Sequence, residues 1–492
     1  MRRLLISLVA LLTVLAFPAP SFAGGDPLRT YAADTWRSMV AMTDPATGLP
    51  SDNIGGDLSA ASRSKYTSPT NIGAYLWSTV AARDLGLISK REAAQRVGQT
   101  LGTLSSLVRH QPSGMFYNWY DPHTGAVLHT FPPDGSTITP FLSSVDNGWL
   151  AAALLVVQGS VPEARSRAGA LVHSMNFGAF FDPNGQAGGK GLLWGGFYDT
   201  QPSGCSVAGD GVWYTCNHYD ITVTEPRIAT YIGIAMGQIP PTAYFATWRT
   251  FPATCDWSWA EQQPTGFNAT YLGVPVFEGS YTYRGIRFVP SWGGDMFEAL
   301  MPNLFVPEEQ WGPRSWGRNH PATVAGQIEH GLRDAKYGYW GFSPASDPFG
   351  DYKAWGVDAM GMDPTGYPSD VEGSNYDGGF GDCRPPGPAP TYGDGVVTPH
   401  AVFLAYRYAP AAALDNLARI KANLGAYGPG GFYDSVAVRS DTVARRYLAL
   451  DQGMILGALG NALAHDDIRR GFVTPQIEHA LRPLLAMERF NA

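Results

Sequence analysis

Three acidic residues stand at the head of otherwise apolar, small-residue segments: Glu225 in TVTEPRIATYIGIAM, Asp146 in SSVDNGWLAAALLVV and Asp451 in ALDQGMILGALGNAL. Two further loop-to-helix junctions carry a polar group in the same place, Asn71 in SPTNIGAYLWSTVAA and His400 in VVTPHAVFLAYRYA. An unpaired charge costs several kcal/mol to desolvate. Five such placements therefore predict a site where loops converge at one end of a helical scaffold. Converging carboxyls suit acid/base hydrolysis of a glycosidic bond. One is protonated to assist the leaving group, and the other is ionised to activate water or act as nucleophile.

Glu225 is the first choice for the acid. Thr224 can cap, Pro226 fits a first helical turn, and the residues that follow are almost wholly apolar. A carboxyl there is partly desolvated, which favours its protonated form unless Arg227 pairs with it. The competing reading is a glutamate that complements the helix dipole. Asp146, with Trp149 one turn on, could equally be an N-cap. Asp451 is harder to read as a cap, because apolar residues flank it on both sides. Asp295 and Glu298 in SWGGDMFEALMPNL are further candidates, although a helix-starting DxxE is often a solvated first turn.

Flat aromatic faces suit sugar rings, and Trp119, Tyr120, Trp149, Trp194, Trp292, Trp340 and Trp355 could supply them. Two or three of these seven are expected to line a cleft, with the rest in the core. His218 and His400 could bind hydroxyls, with structural histidines as the alternative. Asn71, Arg227, Glu298 and Tyr433 complete the expected substrate-binding set. The turns DPATGLPSD and DPNGQAGG lack calcium-loop spacing, so neither a metal nor a cofactor is expected.

Helices must position these groups. Apolar periodicity predicts them over 28–43, 70–85, 90–109, 145–157, 161–175, 224–237, 294–301, 321–334, 399–420, 442–464 and 474–488. The long Gly, Pro and aromatic loops 110–143, 176–223 and 341–398 separate them, with short hairpins such as GMFYNWYDPHTGAVL. No linker divides the chain, so residues 24–492 are read as one domain with helix-on-helix layering. A closed ring of inner and outer helices would bring alternate helix starts to one rim.

The first residues, MRRLLISLVALLTVLAFPAPSFA, read as a signal peptide of residues 1–23, since the apolar run is too short to span a membrane. A secreted or periplasmic protein without a membrane anchor is expected, and a monomer. Loss of two leader arginines takes the formal charge from −8 to −10, which argues against nucleic acid or anionic membrane as partner. Aromatic content of 12% with only 15% charged residues suits a polysaccharide or oligosaccharide partner. Cys205 and Cys216 flank a short loop and are the expected pair, leaving Cys255 with Cys383 by exclusion. One bridge with two free thiols is the alternative.

Taken in order, TSPTNIGAYLWSTVAARDLGLIS, GMFYNWYD, SSVDNGWLAAALLVV, TEPRIATYIGIAMGQIP, GGDMFEALMP, YGYWGFSPASDPFGDYKAWGV, DGVVTPHAVFLA, GGFYDSV and YLALDQGM resemble a glucoamylase-like family of glycoside hydrolases. That family includes endo-β-1,2-glucanases and the glucan-processing domain of cyclic β-1,2-glucan synthases. The resemblance implies an all-α (α/α)6 barrel with minor β-hairpins, and a hydrolase acting on a glucan. It also implies that Glu225 is the general acid, Asp451 a candidate base, and Asp146 close to a second carboxylate proposed in some relatives. The glucanases often carry DQGP where this chain has Asp451-Gln452-Gly453-Met454. An endo-acting, inverting β-1,2-glucanase is the preferred expectation. Action on an arabinan or α-glucan, transglycosylation, and sugar binding without turnover are the alternatives.

Overall fold

A computed structural model describes residues 26–362 and 376–492. The signal-peptide expectation for residues 1–23 lies outside them. Twelve of its helices frame the site: α1 Pro27–Met42, α2 Pro69–Asp84, α3 Lys90–Ser106, α4 Ser144–Ser160, α5 Arg165–His173, α6 Arg227–Ala235, α7 Met296–Leu300, α8 Trp316–Glu329, α9 Pro399–Ala405, α10 Pro410–Asn423, α11 Ala449–Leu463 and α12 Pro475–Met487.

Two kinds of helix follow from two kinds of sequence. In α3 the buried residues Ala93, Val97, Leu101 and Leu104 recur every three or four positions, so one stripe packs and the rest meets water. By contrast α2, α4 and α11 are apolar or small nearly all round, and most residues of each are buried. These are the inner helices. Around the ring α11 packs on α2, α2 on α4 and α4 on α6, while α7 packs on α9 and α9 on α11. Hydrogen bonds from Arg227 to the carbonyls of Glu298 and Ala299 close the ring between α6 and α7. The outer helices α1, α3, α5, α12, α8 and α10 back α11, α2, α4, α6, α7 and α9 respectively.

Close approach of the inner helices depends on a glycine two residues after three of the five polar junction groups. A Cβ on Gly73 would sit 3.0 Å from the Trp149 carbonyl oxygen. One on Gly148 would sit 3.0 Å from Ala229 Cβ, and one on Gly453 only 2.7 Å from Ala74 Cβ. The spacings Asn71-x-Gly73, Asp146-x-Gly148 and Asp451-x-Gly453 thus join a polar helix start to a tight helix crossing. Ser68 and Ser143 accept from the backbone N–H groups of Asn71 and Asp146, which caps α2 and α4.

The fold is mainly helical, and the all-α expectation is too strict. Seven small antiparallel sheets occupy the loops among the described residues. One, Thr265–Tyr271 with Val274–Tyr283 and Ile286–Phe288, falls where the sequence suggested no strand. The expected helix 399–420 divides into α9 and α10 at Pro410, which cannot donate to a continuing helix. The expected helix 442–464 begins only at Ala449, because Thr442–Ala444 and Arg446–Leu448 are strands. Both expected disulfides are formed, Cys205–Cys216 and Cys255–Cys383. No helix of the described residues is long and apolar enough to cross a membrane.

Candidate active site

Helix starts that are far apart in sequence meet at one cavity of about 360 Å³, bordered by Asn71, Asp146, Glu225, Phe297 and Asp451. Aromatic loop residues Tyr66, Trp119, Phe131 and Tyr352 wall its entrance. A cavity of about 480 Å³ opens at the opposite ends of the inner helices, near Leu300, Leu404 and Asn461. Its charged groups Arg407 and Asp466 pair with each other. The unpaired acids are at the N-terminal mouth.

Glu225 accepts a 2.5 Å hydrogen bond from the Trp149 indole at Oε2, and its backbone N–H donates 2.8 Å to Glu298 Oε2. Burial, and next the Glu298 charge, push its carboxyl well above the usual carboxylate range. Arg227 does not relieve it. The guanidinium turns away from the cavity, donating from Nε and Nη2 to both oxygens of Glu308 at 2.7 and 3.0 Å. Its remaining donors reach the carbonyls of Thr224, Glu298 and Ala299 at 2.7 Å. Arg227 is therefore a buried structural cation and not a substrate contact. Glu298 lies beside Glu225 and holds its backbone.

Asp451 is only 2% exposed, and the charges that act on it are those of Asp434 and Asp52. The Asp434 carboxyl lies beside it, and Asp434 Oδ1 and Asp451 Oδ2 are both buried without a hydrogen-bond partner among the described residues. Burial, and then the Asp434 charge, push Asp451 well above the ordinary carboxylate range. Asp434 Oδ2 is fixed by the Ser346 backbone N–H at 2.7 Å. His400 Nδ1 lies 3.3 Å from Asp451 Oδ2, and burial pushes the imidazole down to about 3, so it is neutral. Asp146 accepts from the Thr70 hydroxyl at 2.6 Å, joining α2 to α4. Burial raises it while hydroxyls of Thr70, Ser143 and Ser68 oppose the rise.

Of the expected binding residues, Asn71 and Trp119 also border the cavity. Asn71 donates to Asp52 at 2.8 Å, and Trp119 meets Tyr66 edge-on and Phe131 at a tilt. Trp149 borders it too, but as a hydrogen-bond donor packed against Trp77 and Phe305. The others lie elsewhere. Tyr120 is fully buried and donates to the Val108 carbonyl. His218 pairs with Asp182 at 2.9 Å and stacks on Trp194 in a peripheral sheet. Trp292 packs with Phe251, Trp340 is in the main core, and Trp355 sits in a small cluster with Ala345 and Val396. Tyr433 packs against Tyr447 under Arg445. Loop aromatics of a helical protein have their own small cores to fill, and periodicity cannot separate those from a cleft wall.

Sequence reasoning missed Asp434, Asp52, Tyr66, Phe131 and Tyr352. Asp434 had a signal, since it follows Tyr433 inside the apolar run GGFYDSV. Tyr352 is 53% exposed as a whole, yet burial of its hydroxyl, and then the charges of Asp451, Asp434, Glu225 and Asp295, raise it far above an ordinary phenol.

Residues 218–468 match the glycoamylase family model, described as "Putative glucoamylase". Residues 30–188 match a model for a protein of unknown function, DUF3131. The chain is 23% identical over 594 residues to the cyclic beta-(1,2)-glucan synthase NdvB of Rhizobium meliloti, a match covering 92% of this chain and 18% of the synthase. The chain thus spans less than a fifth of that relative. An endo-beta-1,2-glucanase from Chitinophaga pinensis, in complex with sophorotriose and glucose, superposes with a TM-score of 0.64 at 16% identity, over 93% of this chain and 97% of that one. A mutant endo-beta-1,2-glucanase from Talaromyces funiculosus in complex with beta-1,2-glucan gives 0.64 at 11% identity, over 94% and 90%. Identities this low establish a shared fold.

Proposed function

The chain belongs to the glycoamylase family, a glycoside-hydrolase-like family whose model spans half of it, and from that premise we propose that it hydrolyses internal bonds of a β-1,2-linked glucan. The twelve helices are read as an (α/α)6 barrel with the site at the N-terminal mouth of its inner ring. Glu225 is the general acid. The observation that carries this role is a carboxyl at a cavity wall that is held by an indole N–H, faces another acid and is left unmet by the arginine two residues on. Such a group keeps its proton at pH values where free glutamate has lost it.

The Asp451/Asp434 pair supplies the complementary base. Sharing one proton, the pair carries one negative charge and can accept the proton of an attacking water. Glu225 delivers its own proton to the departing glycosidic oxygen. The C1–O bond breaks as the new C1–O bond forms from the opposite face, with inversion. Asp146, held by Thr70, orients sugar hydroxyls beside Asn71. An exported protein fits the leader sequence and the two disulfides.

Reducing-sugar release from linear β-1,2-glucan tests the reading. Wild-type protein is expected to be active, and Glu225→Gln to lose about three orders of magnitude. Near-normal turnover by that variant would remove Glu225 from the mechanism. A panel including arabinan and α-glucan tests the linkage, and release from one of those alone would overturn the substrate assignment.

A further inference from the structure

Beside the acid pocket lies a second cavity of about 630 Å³ that shares Asp52, Tyr66, Phe131, Tyr352 and Leu448 with it. We propose that this outer cavity binds an anionic substituent, a carboxylate or phosphate, carried on the sugar chain whose backbone enters the acid pocket. The inference rests on the glucan-hydrolase reading and adds a second recognition element to it.

Its far wall presents Arg63, Lys65 and Arg446 in a chain that carries 34 basic residues against 42 acidic ones. Local structure brings the three together. Arg446 and Leu448 are two apart on a strand that pairs antiparallel with Asn53–Gly55, so their side chains share one face. Arg446 stands opposite Gly55, where Ser62 occupies the place a side chain would take. Arg63 and Lys65 flank Ser64, whose hydroxyl is tied to the Asn53 backbone N–H at 3.1 Å. This fixes their segment to the same small sheet. Arg63 uses Nε on the Ala41 carbonyl at 2.6 Å and keeps its other donors. Among the described residues no carboxylate lies within salt-bridge distance of any of the three, although the Arg446 charge acts on the buried Asp434.

Two acids also border the cavity. Asp52 is engaged by the amides of Asn71 and Asn53 at 2.8 and 3.0 Å, and Asp351 lies exposed at the rim. The remaining lining, Tyr66, Phe131, Pro132, Pro133 and Tyr352, is flat and suits sugar faces. Platforms followed by unpaired cations are what a sugar residue bearing a negative group would meet. A neutral chain would leave the cations without a partner.

The test compares linear β-1,2-glucan with the same glucan carrying succinyl half-esters or phosphate esters, and the readout is the ratio of kcat/KM on charged and neutral substrate. Wild type is expected to favour a charged glucan by about fivefold at low ionic strength, as one or two partly exposed ion pairs allow, and to lose the preference in high salt. Whichever ester is favoured identifies the substituent class. In Lys65→Gln/Arg446→Gln, with folding checked by thermal melting, the ratio should fall to about one. These side chains are exposed, whereas Arg63 is left intact because it braces the Ala41 carbonyl. A wild-type ratio of one, or an unchanged ratio in the double variant, overturns the proposal. If neither glucan is cleaved, the hydrolase reading fails by itself. Calorimetry with the same neutral and charged oligosaccharides then decides the cavity: charge-dependent binding lost in the double variant supports it, and its absence overturns it.

Discussion

Glu225 and Glu308 both pack near Arg227, yet only Glu308 is met by its guanidinium. Against the opposing effect of burial, the Arg227 charge and then the His320 contact hold Glu308 down at about 2. Glu225 faces Glu298, and burial together with that neighbour raises it. Two carboxyls within one helix packing are thus driven in opposite directions by the partner each is given. The paired region ties α6 to α7 and α8, and the unpaired one holds a proton at a cavity wall. Of these two, the acid used for structure is neutralised and the acid available for chemistry faces another acid.

Substitutions that exchange the two regions' behaviour sharpen this contrast. After Glu225→Gln, the largest kinetic effect is expected at Asp451→Asn, with turnover reduced by about 100-fold while the melting temperature holds or rises, because an acid crowded by another acid has been removed. A strongly lowered melting temperature there would erase the distinction. Glu308→Gln should do the reverse. It leaves Arg227 buried without its counter-charge and costs about 3–5 kcal/mol in denaturant unfolding. Unaltered stability would show that the buried pair is not what holds α6 to α7.

A smaller effect is expected in the pH profile. Glu225 must be protonated to act, so kcat/KM should decline on the alkaline side with a midpoint well above that of free glutamate, following the raised carboxyl. A decline centred in the ordinary carboxylate range would contradict the assignment. The smallest concerns Glu278, where burial and then the Glu488 charge push the carboxyl up to about 8. Between the unfolded value near 4.5 and this folded one, the folded form holds a proton that the unfolded chain has lost. Stability therefore falls as pH rises through that window. Glu278→Gln should flatten the slope and melt higher than wild type at alkaline pH, and parallel curves for the two proteins would refute the cause given.

Much of the scaffold was legible because its determinants are local. The apolar runs after Asn71, Asp146, Glu225 and Asp451 and the stripe of α3 are carried openly, whereas the Ser68 and Ser143 caps and the glycines at the tight crossings emerged only in the folded chain. The convergence of Asn71, Asp146, Glu225 and Asp451 was anticipated from the same junctions, and the cavity contains all four. The aromatic wall was not legible. Trp340 and Trp355 differ from Trp119 only in what folds over them, and Tyr120 points into the core although its neighbour Trp119 points out. Strands such as Thr265–Tyr271 were missed because they belong to small sheets without the long alternation that identifies a strand.

Sequence by itself determined the helix starts and the acids set among apolar residues, since each depends on neighbours within a turn or two of chain. Only the tertiary structure decided which charge meets which. Arg227 lies two residues from Glu225 but 81 from Glu308, and it pairs with Glu308. Asp434 joins Asp451 because a loop strand folds back onto the start of α11. Electrostatic partnership is set by distance in space and by local dielectric, and neither is written in the order of residues.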